Sequence, residues 1–290
     1  MFKAMIETLR PRQWTKNLVI FAGLIFDGQF LQPIPFLRVL AAALLFCLVS
    51  GVTYTINDLL DIEADQQHPR KRNRPIASGR LSKKASIILI MVLSAISLVG
   101  GYLLSPGLAI IFVGYTLLIL AYSLWLKRIM ILDVLVIAAG FVLRVLAGLS
   151  VITVAYFSPW LFVLTTLLAM YLAFGKRLAE LRLLDTKAVN HRKTLDGYTE
   201  PLLNQYIMVI LTAILITYTL YTFSAHPGQT NHAMMLTIPF VVYGIFRYLY
   251  LIQSNLITSS PEEVLLKDRP LQIAIVLWGL SVLAILYLVF

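Results

Sequence analysis

The sequence predicts an all-α integral membrane protein with about nine transmembrane helices, and three observations carry that expectation. Of the 290 residues, 59% are hydrophobic and only 13% are charged, about half the charged share of an average soluble domain. The apolar residues gather into runs of roughly 20, the length an α-helix needs to cross the hydrocarbon core. The lysines and arginines cluster in alternate connections between those runs.

The expected spans are 18–32, 36–57, 85–104, 107–126, 130–150, 157–174, 203–225, 234–253 and 270–290. The first is short and carries Asp27 near its end. No stretch is left for a soluble domain, so 1–290 reads as a single membrane domain. The one cysteine, Cys47, lies in an apolar run. It has no intrachain disulfide partner and reads as a small buried hydrophobe. Arg10, Arg12 and Lys16 precede the first run, but no small-residue cleavage site follows it, so no cleavable signal is expected.

Nine spans put segments 1–17, 58–84, 127–129, 175–202 and 254–269 on one side. These hold Lys16, Lys71, Arg72, Arg74, Lys127, Lys176 and Arg177, among other cations. The opposite connections, near 33–35, 105–106, 151–156 and 226–233, hold no lysine or arginine. This is the positive-inside pattern. It predicts a multi-pass protein of the plasma (inner) membrane, with the N-terminus and the basic loops cytoplasmic. The formal net charge of +10 is thereby accounted for as topology, and no nucleic-acid partner is needed. Gly100, Gly101, Gly140, Ala147 and Gly148 lie within spans, where small residues let helices approach closely.

One polar stretch carries chemistry. After the second span the chain reads Asn57-Asp58-Leu59-Leu60-Asp61-Ile62-Glu63-Ala64-Asp65. On a helix, Asp58, Asp61 and Asp65 share one face. Three carboxylates at the end of a membrane helix suit magnesium, a hard cation usually shared with substrate phosphates. The plainer alternative is a solvated helix end. The next residues, His68-Pro69-Arg70-Lys71-Arg72-Asn73-Arg74-Pro75-Ile76-Ala77-Ser78-Gly79, weigh against it, because arginine offers bidentate recognition of phosphate. Each cation alone could equally meet lipid headgroups.

These two runs resemble the first signature of the UbiA superfamily of membrane prenyltransferases. The resemblance implies about nine helices around a central cavity, with the first Asp-rich motif holding magnesium against a diphosphate. Members that act on aromatic acceptors carry a second Asp-rich motif after the sixth span. Here that stretch is Phe174-Gly175-Lys176-Arg177-Leu178-Ala179-Glu180-Leu181-Arg182, with Asp185 and Asp196 farther on, so cations replace acids at least in part. Several further pieces are similar to one branch of the superfamily, the decaprenyl-phosphate phosphoribosyltransferases. They are Arg10 to Asn17, Tyr122 to Lys127 with Leu132-Asp133-Val134, Phe141 to Gly148, Lys176 to Leu181 and Leu266 to Leu271.

That resemblance implies transfer of phosphoribose from phosphoribosyl pyrophosphate to a polyprenyl phosphate, with Mg2+ as cofactor, and a product that feeds arabinan precursors of the cell wall. Asp58, Asp61 and Asp65 would be the catalytic metal ligands, holding magnesium and pyrophosphate, with Asn57 as a polar neighbour. Lys71, Arg72 and Arg74 would meet donor phosphates, and Lys176 and Arg177 would clamp the donor's other end. Lys16, Tyr122 and Lys127 would contact substrate at the cytoplasmic side, although a tyrosine there could be an interface anchor. Arg144 falls deep in a span, where an ionisable group is costly and is a functional candidate. It is expected to face the cavity and meet an anionic substrate, with a structural ion pair or a hydrogen bond to a neighbouring helix as the alternative. Asp133 lies about 16 Å away along the same helix, too far to pair with it, and Arg247 has no assigned role. His68, His191, His226 and His232 form no metal pair. Two other readings stay open: a prenyltransferase passing an isoprenoid to an aromatic acceptor such as 4-hydroxybenzoate, and a transporter. Membrane lipids are implied partners, and a homo-oligomer is compatible with the sequence.

Overall fold

A computed structural model describes residues 1–69, 71–154, 159–185, 197–224, 232–254 and 267–289. Arg70, His191, Asp196 and His226, the side chain of Asp185 and the basic residues of 186–196 lie outside the described residues. The described chain is helical, with no strand among those residues. It divides into two compact units, 1–125 with 143–155, and 126–142 with 156–290.

In the first unit, α1 (Phe2–Thr8) leads into a 3₁₀ helix, Pro11–Phe21, continued by α2 (Ala22–Phe26). Then come α3 (Pro33–Leu60), α4 (Ile62–Gln67), α5 (Lys83–Leu104) and α6 (Pro106–Leu124). Of α3's most apolar window 61% is buried, against 11% for α5 and 17% for α6. So α3 is the internal helix of this unit, and α5 and α6 present leucine, isoleucine and valine outward, as lipid contact requires. The core joins Ile20, Leu24, Val39, Phe46, Phe112, Tyr115 and Ala147, with Phe46 edge-on to Phe112.

Helix α7 (Leu132–Leu149) gives its first part to the second unit and its last part to the first. The second unit continues with α8 (Pro159–Asp185), α9 (Glu200–Ser224), α10 (Ile238–Gln253) and α11 (Arg269–Ala284). Its core is built on Tyr171, Phe174, Leu178, Leu203, Ile207, Ile214 and Tyr248.

Eight helices among the described residues are long and apolar enough to cross a membrane, close to the nine expected. The exception is the first expected span, 18–32. Its chain is wound as 3₁₀ helix up to Phe21 and as α-helix only over Ala22–Phe26. Over Pro11–Phe26 as a whole, eleven residues at about 2.0 Å and five at about 1.5 Å reach roughly 30 Å. Three residues per turn also stack Trp14, Asn17 and Ile20 on one face. Asn17 and Ile20 are buried, and Gly148 lets α7 approach, since a Cβ there would lie 2.0 Å from the Ile20 carbonyl oxygen.

Candidate active site

The acidic motif sits where α3 stops. Asp61 leaves helical geometry (φ −100°, ψ 15°), which separates α3 from α4. The expected single stripe of three aspartates is therefore broken. Asp58 and Asp65 are brought together, each 2% exposed, while Asp61 is half-buried and accepts a hydrogen bond from Asn57 Nδ2 at 3.2 Å. Among the described residues, no three acidic, histidine or cysteine side chains converge on one metal-sized point.

Two arginines close this acidic pair. Arg74 Nη1 donates to Asp58 Oδ1 at 3.0 Å and to Asp65 Oδ2 at 2.6 Å. Arg10 Nη2 donates to Asp58 Oδ1 at 2.5 Å, and its guanidinium lies 4.9 Å from the centre of the Tyr54 ring. Burying two carboxylates this close together without counter-charge would be prohibitive. The sequence singled out Arg74 but gave Arg10 no role, although Arg10 stands in the first of the branch-like segments.

The backbone holds both arginines in place. Arg10 is left-handed (φ 52°, ψ 62°), a sparsely populated conformation for a residue with a Cβ, and Pro11 starts the 3₁₀ helix immediately after it. Arg74 heads a turn closed by Ser78 N–H to Arg74 O at 2.9 Å and Leu81 N–H to Pro75 O at 2.9 Å. The turn needs Gly79 at φ 76°, and Ile76 and Leu81 bury it against Ala4. Arg80 grips Glu7 with two bonds of 2.8 and 3.0 Å, tying the turn to α1. That guanidinium holds the Glu7 carboxyl below the usual carboxylate range.

The other expected contacts are distributed more widely. Lys71 and Arg72 are exposed on a short 3₁₀ turn, with Lys71 N–H donating to His68 Nδ1 at 3.3 Å. Lys16 and Tyr122 are half-buried in the first unit, and Lys127 is half-buried in the second. Arg144, 5% exposed, donates to Asn17 Oδ1 at 2.8 Å and to Tyr115 Oη at 2.9 Å, with its guanidinium 5.1 Å from the Phe46 ring centre and 4.8 Å from that of Tyr115. Asn17 in turn donates to Cys47 Sγ at 3.1 Å. Arg144 thus makes the helix-to-helix hydrogen bonds that were its alternative reading.

In the second unit, Lys176 and Arg177 point to different fates. Lys176 is exposed. Arg177 is 1% exposed and donates to Asp133 Oδ2 at 2.8 Å and to Glu180 Oε2 at 2.7 Å. Tyr198 Oη donates to Asp133 Oδ1 at 3.1 Å and accepts from Ile131 N–H at 2.9 Å. Ile131 itself is left-handed (φ 70°). Burial pushes the Tyr198 phenol up to about 12. Arg247 pairs with Asp268 at 2.8 Å. Asp268 caps α11 by accepting from Leu271 N–H at 2.8 Å, and Arg247 holds its carboxyl below the ordinary range.

The donor set around Arg74 suits a hard divalent cation. Two buried carboxylates already hold one positively charged nitrogen within hydrogen-bond distance of both, and carboxylate oxygen is the ligand type magnesium takes.

Comparison with known proteins gives the same architecture. A solved UbiA homologue from Archaeoglobus fulgidus, bound to DMAPP and Mg2+, superposes with a TM-score of 0.74 at 17% identity, covering 97% of this chain and 98% of that one. The decaprenyl-phosphate phosphoribosyltransferase of Mycolicibacterium smegmatis is 34% identical, over 98% of this chain and 92% of its own length. That of Corynebacterium glutamicum is 30% identical over 98% and 87%. The UbiA prenyltransferase family profile matches residues 18–260. The chain belongs to the UbiA prenyltransferase family and is a multi-pass membrane transferase.

Proposed function

We propose that this protein transfers 5-phosphoribose from phosphoribosyl pyrophosphate to a decaprenyl-type polyprenyl phosphate. A phosphate oxygen of the lipid attacks ribose C1, the bond from C1 to the pyrophosphate oxygen breaks, and pyrophosphate leaves. The observation that carries this reading is near full-length identity of 30–34% with relatives named for that transfer. The cations at the second motif position support it, since a donor with phosphates at both ends of a polar sugar needs more positive charge than a prenyl diphosphate.

Asp58 and Asp65 would hold magnesium, with Asp61 lying between them in sequence. When bound, the ion would neutralise charge on the leaving pyrophosphate. Arg10, at Asp58, and Arg74, at both carboxylates, would bind diphosphate oxygens, aided by Lys71 and Arg72. Lys176 would meet the donor's 5-phosphate, and Lys16, Tyr122 and Lys127 would line the substrate path. The chain supplies no nucleophile in this scheme. Its work is positioning and charge neutralisation. The basic loops would face the cytoplasm from the inner membrane.

The test gives the purified protein radiolabelled phosphoribosyl pyrophosphate with a polyprenyl phosphate, or a labelled prenyl diphosphate with 4-hydroxybenzoate. Magnesium-dependent lipid-soluble label from the first pair is expected. Label from the second pair alone would replace this reading with aromatic prenylation.

A further inference from the structure

We infer that Arg10 and Arg74 are exchangeable counter-cations, which make the metal and the diphosphate bind to this site together rather than one after the other. The inference rests on Asp58 and Asp65 being the metal ligands.

The argument is one of charge. Asp58 and Asp65 are each 2% exposed, and Arg10 and Arg74 bond to them directly. Two carboxylates and two guanidiniums sum to zero. A divalent ion entering this neutral cluster alone would compete with guanidiniums already in place. It would also leave two uncompensated positive charges in a poorly solvated pocket.

A diphosphate changes the balance. Arg74 Nη1 lies between the two aspartates, where a cation bound to both would have to stand, so Arg74 must move off. Its guanidinium and that of Arg10 then need new anions, and phosphate oxygens provide them in bidentate geometry. Arg10 is prepared for that exchange, because its side chain is 23% exposed and its guanidinium lies 4.9 Å from the centre of the Tyr54 ring, while Asp58 is closed to solvent. By linkage, whatever factor pyrophosphate adds to metal affinity, the metal adds to pyrophosphate affinity. Each arginine removed should free the carboxylates for metal while weakening the grip on diphosphate.

The experiment measures Mn2+ binding to the full chain in detergent by electron paramagnetic resonance of the free ion, with no phosphate present. It also measures binding of labelled inorganic pyrophosphate at saturating Mg2+. The wild type is expected to bind Mn2+ alone weakly. Arg74→Gln should bind Mn2+ alone at least tenfold more tightly and pyrophosphate at least tenfold more weakly, and Arg74→Lys should stay near the wild type in the metal measurement. Should Arg74→Gln fail to fold, Arg10→Gln, which removes one positive charge at Asp58 but keeps Arg74 at both carboxylates, should shift both affinities in the same directions by a smaller factor. Metal-only affinity that is unchanged or weaker in the glutamine variant overturns the inference. Turnover enters neither measurement. Failure of phosphoribosyl transfer with this binding pattern intact would therefore overturn only the assigned reaction.

Discussion

Arg177 and Asp133 form an ion pair at 2.8 Å in which neither side chain is more than 2% exposed. Its Nη1 also reaches Glu180, so the guanidinium is committed to carboxylates of its own unit. Removing one member of such a pair strands the other charge, which costs about 3–5 kcal/mol. Arg177→Met or Asp133→Asn should each lower the thermal midpoint in detergent sharply. The double change Asp133→Leu with Arg177→Met should recover much of the loss. An Arg177→Met protein of full stability but raised donor KM would return Arg177 to the substrate.

Tyr198 links that pair to the strained backbone at Ile131. Tyr198→Phe leaves the Ile131 N–H without its acceptor, at a cost of about 1–3 kcal/mol. The phenol's ordinary value of 10 is pushed up to about 12 in the fold. The unfolded chain therefore loses this proton first, and stability falls as pH rises through the window from 10 to 12. Alkaline melting curves should show that decline in the wild type and a smaller one in Tyr198→Phe.

Asp58 accepts from both arginines, so its replacement by asparagine should remove magnesium-dependent turnover. A loss on the order of a hundredfold or more in kcat is expected, with the purified protein still monodisperse. Full activity of Asp58→Asn would remove it from the metal site. Lys176→Ala is expected to raise the donor KM about tenfold, the scale of one charged hydrogen bond, with kcat little changed. An unaltered KM would separate Lys176 from the donor.

Gly148→Ala places a methyl group against a backbone oxygen of the 3₁₀ helix, which cannot swing aside as a side chain could. Overpacking of about 1–3 kcal/mol or more follows. A drop in melting temperature and in yield of folded protein is the expected result. Ala147, next in the chain, is buried without such a clash and serves as the comparison site for a conservative change to glycine.

The transmembrane architecture was legible because lipid imposes a simple demand, runs of about 20 apolar residues. The acidic cluster was marked in the sequence by its spacing together with the cations that follow it. Its geometry was not, because Asp61 leaves the helix and a three-residue repeat assumes the helix continues. Arg10 escaped notice as a site residue because its partner lies 48 positions away. The one local sign, an arginine just before a proline, is ambiguous. Arg144 and Arg177 read from sequence as cations awaiting anionic substrate. Their partners Asn17 and Asp133 sit on other elements, where helical periodicity does not reach. The first span was weak in sequence for a physical reason too. It is α-helical only over Ala22–Phe26, and it is not among the eight segments long and apolar enough to cross a membrane.

The 3₁₀ winding also sets a ruler inside the first unit. Seven residues separate Arg10, which bonds Asp58, from Asn17, which bonds Arg144. They span about 14 Å as wound and would span about 10.5 Å as α-helix. The shortfall of about 3.5 Å exceeds the length of either hydrogen bond. Both bonds are made with the segment in the 3₁₀ form, and an α-helical winding would move one polar handhold about 3.5 Å along the axis relative to the other.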